Sequence, residues 1–216
     1  MDNSGDDEKP PIADWVHLPP SATELSLWEI LHDGLLTHAT LDRLDRSLQL
    51  EFDIRHIREF HHLPEGTRFL LKLSRVQSIR AIYEVTWPGE FSLPDGASRE
   101  HASELIREYH DKSIEEAVPW AVFSERLDRE PGGAEVFEAS LVEAAGRSVA
   151  LRMFLHVNDD FYPELTVRAQ ELKISLSTHE TLTLAHFLHF GESYWDDFAE
   201  RGRMRRAAAE ASEQAT

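Results

Sequence analysis

The sequence predicts an α+β protein with two related antiparallel β-meanders, a helical insert between them and helices at the C-terminal end. Two stretches of the chain alternate apolar and polar residues with the period of a strand. The segments between and after them repeat apolar residues at helical spacing. A three-stranded meander cannot bury its apolar face alone. We therefore expect the sheets to cover each other, as in a sandwich, or to be covered by the helices.

The two stretches, residues 35–79 and 136–176, follow one pattern, which predicts an internal duplication. After Arg46-Ser47 the apolar positions are Leu48, Leu50, Phe52 and Ile54, and after Arg147-Ser148 they are Val149, Leu151, Met153 and Leu155. The third runs are Phe69, Leu71, Leu73, Val76 and Leu165, Val167, Ala169, Leu172. Both third runs slip from a spacing of two to a spacing of three before the last residue. This shared irregularity predicts a bulge or bend there, with Leu50 and Leu151 at equivalent buried positions.

We divide the chain into five parts within one globular body. They are a disordered acidic tail (1–11), a first meander unit (12–87), a loop and helical insert (88–133), a second meander unit (134–177) and C-terminal helices (178–216). The strands are expected near 35–44, 47–57 and 67–76, and near 135–144, 147–157 and 164–176. Before the first strand, residues 25–31 fit a short helix and Asp33-Gly34 predicts a turn.

The helical segments are predicted from apolar spacing and from capping residues. In the insert, Ser98 is a candidate cap for a helix that runs through Ile114, and Pro119 interrupts or restarts it. After the second meander, Ser177 and Glu180 have the spacing of a capping box. One helix is expected from about 179 to 190, and a second from Glu192 to about 211, separated by a glycine.

Composition limits the classes of function. Residues 1–9 contribute −3 and residues 200–216 contribute +1, so the rest of the chain carries −16 of the total −18. Such a charge repels phosphate backbones and disfavours nucleic-acid binding. The chain has no cysteine, no apolar run of about 20 residues and an acidic start without a signal peptide. We therefore expect a cytoplasmic protein with no cofactor and no membrane contact.

Two sets of residues are candidate sites. His186, His189 and Glu192 follow i, i+3, i+6 spacing and could bind zinc or another divalent ion, with His179 nearby. Glu104, Glu108, Asp111 and Glu115 would share one face of the insert helix and could attract a basic partner. An ordinary solvated helix face and a histidine-flanked core stripe are the simpler interpretations.

Two further histidine motifs are interpreted as structural. His61-His62 lies in an expected loop, where adjacent side chains seldom reach one metal ion. In His32-Asp33-Gly34 the aspartate could orient a general base, but no nucleophile is indicated, which favours a turn. The sequence contains no P-loop, no dinucleotide-binding glycine motif and no G-x-S-x-G motif.

The order Leu-Trp-Glu-Ile-Leu-His-Asp-Gly-Leu-Leu (27–36), a polar turn and Arg-Ser-Leu-Gln-Leu-Glu-Phe-Asp-Ile (46–54) resembles small bacterial proteins. Some of these are similar to immunity proteins of polymorphic-toxin systems. The resemblance covers residues 27–80 and supplies no site residues, and the insert and second meander depart from a single small immunity domain. It implies a protein that binds another protein.

Three hypotheses of function follow. The first is a non-enzymatic protein-interaction module whose acidic surface binds a basic protein. The second is a metal-binding protein or metal-dependent enzyme that uses the histidine and glutamate cluster. The third is a small-ligand-binding protein with an apolar pocket between the sheet and the insert helix.

Overall fold

A computed structural model describes residues 23–85, 98, 114–144, 148–157 and 161–214. The elements in chain order are β1 Thr23–Ser26, α1 Trp28–Leu31, β2 Leu35–Asp42, β3 Ser47–Asp53, α2 Arg55–Phe60, β4 Phe69–Ser74, β5 Ser78–Val85, β6 Ile114–Val118, α3 Trp120–Arg129, β7 Ala134–Ala144, β8 Ser148–His156, β9 Pro163–Ala169, β10 Glu171–Leu176, β11 Thr181–Leu182 and α4 Leu184–Gln214. The fold class is α+β, as predicted.

The described strands form one antiparallel sheet in the order β11-β10-β4-β3-β2-β7-β8-β9-β5-β6, and β1 pairs with β7 beside this path. Alternation along the strands decides which side chains face inward. In β9, for example, every second residue from Pro163 to Ala169 is buried. Buried side chains from strands β2–β4, strands β7–β9 and the helices form one apolar core, which includes Phe52, Phe69, Leu151 and Phe187.

The two predicted meanders correspond to β2-β3-β4 and β7-β8-β9. In each, the first hairpin contains a register shift: between Leu36 and His38 in one, and between Val136 and Glu138 in the other. Counted from these bulges, Ala39 pairs with Leu50, and Ala139 pairs with Met153. Leu50 is therefore equivalent to Met153 when the bulges are aligned, and the predicted equivalence of Leu50 with Leu151 is wrong by two residues. The prediction aligned the two hairpins at their turns, but the second hairpin has two more residue pairs between the bulge and the turn.

The slips in the apolar pattern lie where the chain changes strand partners. The chain bends at Arg75, which has a φ of 53°, and at Gln170. Beyond these bends, β5 pairs with β9 of the second meander, and β10 pairs with β4 of the first. The two connecting segments, 75–77 and 170, are hydrogen-bonded to the opposite meander. The Gln77 N–H donates to the Arg168 carbonyl (2.8 Å), and the Gln170 N–H donates to the Ser74 carbonyl (3.1 Å). The strand expected at 164–176 is therefore two strands.

The helices pack across the junction of the two meanders. β2 and β7 pair only through Leu35–Glu135 and Leu36–Ala134. Helix α1 precedes β2 but packs on β7, whereas α3 precedes β7 and packs on β2. A helix begins directly after Pro119, but it follows strand β6 and does not restart an earlier helix; Phe123 and Leu127 are buried on α3.

Several predicted helix boundaries are wrong. Residues 23–26 are a strand, so the predicted helix at 25–31 is only the single turn α1. Residues 55–60, expected in part to continue a strand, form helix α2. Residues 114–118, expected at the end of the insert helix, form β6, which pairs with β5. The rest of that predicted helix, and the acidic tail, lie outside the described residues.

The C-terminal segment is one helix, and a glycine lies within it. Gly191 is buried against α1, where an added Cβ would lie 2.4 Å from the Glu29 carbonyl oxygen. The sequence predicted that Gly191 separates two helices, but the helix continues through it, and the missing side chain permits α1 to pack closely on α4. The helix begins after Thr183, whose Oγ1 accepts the His186 N–H at 3.1 Å. The predicted capping box is wrong, because Ser177 Oγ accepts the Arg68 N–H at 3.0 Å and β11 follows.

Candidate functional site

The predicted metal ligands are not brought together. His189 Nδ1 lies 3.9 Å from Glu192 Oε2, and both side chains are exposed. His186 stacks on Phe190, with ring centroids 5.1 Å apart. Within the described ranges, no three His, Asp or Glu side chains are placed to hold one metal ion. Spacing of i, i+3, i+6 turns the helix by about 600°, so the first and last residues diverge by about 120°.

Of the four residues of the predicted acidic face, only Glu115 lies within the described part of the chain. Glu104, Glu108 and Asp111 lie outside the described residues. Glu115 pairs with Glu84 in the β5–β6 ladder. Glu115 therefore belongs to a strand and does not continue a helix.

Of the pair His61-His62, His61 has a packing role. His61 Nε2 lies 2.9 Å from the Phe190 carbonyl oxygen, which can only accept, so this nitrogen donates. Ser193 Oγ lies 3.2 Å from the same nitrogen and donates to the His189 carbonyl at 2.6 Å. The proton on Nε2 prevents His61 from accepting the Ser193 proton. This contact therefore joins α2 to α4 and is not an activated nucleophile.

The His32-Asp33-Gly34 motif forms the predicted turn and ties α1 to β7. Asp33 has a φ of 58°, and its N–H donates to the Val136 carbonyl, while the Val136 N–H donates to the Gly34 carbonyl at 2.9 Å. His32 Nδ1 donates to the Phe137 carbonyl at 3.0 Å, and its Nε2 lies 3.3 Å from Asp33 Oδ1. The motif thus holds the bulge of β7 against the helix.

Two groups of contacting aromatic and histidine rings lie on either side of His32, and its hydrogen bond to the Phe137 backbone carbonyl links them. Trp28 stacks on His32 (4.5 Å between centroids) and on Trp195 (5.2 Å). Trp195 contacts Phe198 at 5.6 Å along α4. On the other side, Phe137 stacks on His156 at 5.7 Å, and His156 stacks on Tyr162 at 4.6 Å. We call these seven residues the aromatic stripe: Trp28, His32, Phe137, His156, Tyr162, Trp195 and Phe198.

The aromatic stripe contains most of the exposed large apolar side chains of the described residues. Phe198 is 54% exposed, Tyr162 50%, Phe137 41% and Trp28 38%. The remaining exposed ones are Leu44, Val122 and Met204. Scattered exposed apolar residues are ordinary, whereas a contiguous set marks a surface that contacts something.

Local structure explains why these rings reach the surface. Trp28 and His32 are four residues apart and so share one face of α1. Trp195 and Phe198 are three residues apart on α4. Phe137 is the extra residue of the β7 bulge, and a bulge changes the direction of a side chain in a strand. The sequence signal that could have found it is an aromatic residue directly after the buried Val136.

A third histidine, His56, contacts the aromatic stripe from α2. His56 of α2 contacts Tyr194 (4.7 Å) and Trp195 (6.1 Å). Burial lowers the pKa of His56, a shift that Asp33 opposes and His32 reinforces. Its Nε2 is buried without a hydrogen-bond partner in the described structure, and the same holds for His156 Nε2. A neutral ring is favoured at His56, because burial penalises the charged form.

Carboxylates border the aromatic stripe. Asp33 lies beside His32, and Glu135 Oε2 is 3.6 Å from His156 Nδ1. Glu29 and Glu192 line a groove of about 400 Å³ together with Trp28, whose remaining walls are Leu25, Ser26 and Leu188. This combination of rings, apolar side chains and carboxylates is suited to a cationic protein surface.

A second groove of about 340 Å³ lies where β10 and β11 approach β7 and β8. It is lined by Leu141, Val149, Leu172, Lys173, Ile174, Thr181, Leu182 and Leu184. Its position differs from the apolar pocket expected between the sheet and the insert helix.

The comparisons with known proteins add no relative. No family model matches the chain, and neither the curated proteins nor the solved structures contain a match. Within the described residues, no helix combines the length and the apolar character needed to span a bilayer.

Proposed function

We propose that this chain is a non-enzymatic, cytoplasmic protein-interaction module that binds a basic protein through the aromatic stripe. The observation that carries the proposal is the aromatic stripe: two groups of contacting rings that the His32–Phe137 hydrogen bond links, with four exposed aromatic side chains and with carboxylates along the border. Trp, Tyr and Phe are enriched at the cores of protein–protein interfaces, and Trp and Tyr are frequent among the few residues that carry most of the binding energy.

Charge supports a basic partner. The chain carries −18 overall, and Glu29, Asp33, Glu135 and Glu192 place part of that charge beside the exposed rings. Opposite charge on a partner would accelerate encounter, and the effect would fall with added salt. The resemblance of residues 27–80 to immunity proteins adds a candidate partner class, a basic bacterial toxin.

The proposal includes an origin of the scaffold by duplication. Three features favour it: a bulge in the first hairpin of each meander, the reciprocal pairing of β5 and β10, and the reciprocal packing of α1 and α3. An experimental structure should superpose 35–74 on 134–169 with the two bulges aligned. A superposition that places the bulges out of register would refute a common origin.

The interaction proposal is tested with one pair of variants. The tagged double variant Trp28→Ala/Phe198→Ala removes two exposed rings of the aromatic stripe. The control Leu44→Ala removes a side chain that is 96% exposed in the β2–β3 turn. Proteins retained by the wild-type chain from its source cells are identified by quantitative mass spectrometry, purified, and measured for direct binding.

A basic protein should bind the wild type and Leu44→Ala equally and the double variant at least tenfold more weakly, because two hot-spot aromatic truncations typically exceed 1.4 kcal/mol. Its on-rate should fall steeply between low and physiological salt. A direct partner that binds all three proteins equally would refute the aromatic stripe as its interface.

A further inference from the structure

The groove beside Trp28 has a composition that selects one kind of side chain. Its apolar walls come from Leu25 of β1 and Leu188 of α4, and the indole of Trp28 forms a third wall. Glu29 and Glu192, both exposed, border it from two different helices. A long side chain with an aliphatic stem and a cationic head is complementary to both parts.

The two carboxylates lack a cation within the described structure. Among the described residues, Glu29 makes no ion pair, and Glu192 makes one only with His189, whose Nδ1 lies 3.9 Å from its Oε2. Exposed acids are usually solvated, so this alone decides little. Here, however, the two carboxylates lie next to apolar walls. A guanidinium can contact both, because its planar face packs on rings while its edge donates hydrogen bonds to carboxylates.

The chain holds this groove in shape by an unusually close contact. The Glu29 backbone packs directly on Gly191, where a Cβ would lie only 2.4 Å from the Glu29 oxygen. The same Glu29 carbonyl accepts the Trp195 Nε1–H at 2.8 Å. Because Glu192 follows Gly191 in sequence, this contact fixes the distance between the two carboxylate-bearing backbones. A preformed groove costs less to bind than one that must be ordered.

We propose that this groove is an anchor site for an arginine side chain presented by the basic protein partner. This inference rests on the proposed function and adds the recognition chemistry at one end of the aromatic stripe. The aliphatic stem lies along Leu25, Leu188 and Trp28, and the guanidinium lies between Glu29 and Glu192. Charge complementarity and continuity with the stripe, which Trp28 also belongs to, favour this occupant.

The first test uses peptides, so it does not need the partner. The full-length chain, labelled with ¹⁵N, is titrated with a capped pentapeptide that has a central arginine flanked by leucines. The control peptide carries citrulline, which is neutral and nearly the same shape. The arginine peptide should shift the Glu29, Leu188 and Glu192 amides and the Trp28 indole N–H, and citrulline should bind at least tenfold more weakly. Equal binding of both peptides, or shifts confined to other residues, would overturn the proposal.

Variants then test the carboxylates. Glu29→Gln and Glu192→Gln should each weaken the arginine peptide by roughly threefold, and the double variant by roughly tenfold, as expected for exposed charged pairs. The control Glu65→Gln/Glu180→Gln removes two exposed acids that do not line the groove, and it should bind as the wild type does. An equal loss in both double variants would reduce the effect to net charge and would also overturn the site.

The outcomes separate this inference from the proposed function. A partner that needs Trp28 and Phe198 but is indifferent to Glu29→Gln/Glu192→Gln would overturn the arginine site and leave the interaction surface intact. Binding of the arginine peptide, together with a partner that does not need Trp28 and Phe198, would support the arginine site and overturn the aromatic stripe as the interaction surface. Self-association lost both in Glu29→Gln/Glu192→Gln and in Arg205→Gln/Arg206→Gln would place a second copy of this chain in the groove and overturn the assignment to another protein.

Discussion

Gly191 offers the sharpest test of the packing that supports the candidate site. In an exposed helix interior, alanine is favoured over glycine by about 1 kcal/mol, so helix propensity alone predicts that Gly191→Ala stabilises the protein. The tertiary contact predicts the opposite. The new Cβ would lie 2.4 Å from the Glu29 oxygen, 2.5 Å from its carbonyl carbon and 2.7 Å from the Ile30 nitrogen, so the α1 backbone must move away.

The expected loss follows from three contributions. Overpacking a buried site costs about 1–3 kcal/mol. Displacing the Glu29 carbonyl also weakens its hydrogen bond from Trp195 Nε1, which is worth about 1 kcal/mol. The gain of about 1 kcal/mol in helix propensity offsets part of this. The free energy of unfolding should therefore fall by about 1–3 kcal/mol.

Gly202→Ala is the matched control. Gly202 lies in the same helix, but nothing approaches its added Cβ within 4 Å. The change should leave the free energy of unfolding unchanged or raise it by up to about 1 kcal/mol. Both variants are compared with the wild type by urea denaturation, followed by tryptophan fluorescence and far-ultraviolet circular dichroism. If Gly191→Ala is as stable as Gly202→Ala, the close contact between α1 and α4 does not exist as described.

Two further predictions concern the core and the pH dependence. Phe52 is fully buried, so Phe52→Ala should lower the free energy of unfolding by about 3–5 kcal/mol. Glu51→Ala, on the opposite face, should cost far less, within about 0.5 kcal/mol. Equal denaturation midpoints for the two variants would contradict the assigned facing. Burial lowers the pKa of His56 from its ordinary value of 6.5, so the unfolded chain binds more protons there and stability should decline as the pH falls below about 6.5. His56→Gln should flatten that part of a stability-against-pH curve measured by urea denaturation, and an unchanged curve would show that His56 does not contribute.

Local sequence patterns predicted the strands better than the helices. The alternation of Leu48, Leu50 and Phe52 correctly identified a strand and its buried face, since period two specifies facing without knowledge of the partner strand. Gly191 misled for a physical reason: glycine weakens a helix in isolation, but here it is the residue that lets another backbone approach. The capping box at Ser177 failed because its hydroxyl accepts the Arg68 N–H of a distant strand.

The candidate site depended on contacts that no local pattern contains. Trp28 and Trp195 are far apart in the chain, and each alone is an ordinary apolar residue of an amphipathic helix. Their stacking arises only when α1 packs on α4, and the hydrogen bond from His32 to the Phe137 carbonyl arises only when α1 packs on β7. Sequence spacing instead indicated His186, His189 and Glu192, because spacing reports only which residues are neighbours along one helix and contains no information on contacts between distant segments.

The sequence by itself determined the fold class, the two alternating meanders, their buried faces and the strong negative charge. These properties follow from residue type and short-range period, which act within a few residues. Only the tertiary structure decided that β5 pairs with the second meander and β10 with the first, that α1 packs on β7, and that two groups of aromatic rings lie on either side of His32. The physical reason is that every strand offers the same backbone N–H and C=O groups at its edge. These groups do not distinguish one partner strand from another, so the packing of the whole core selects the partner.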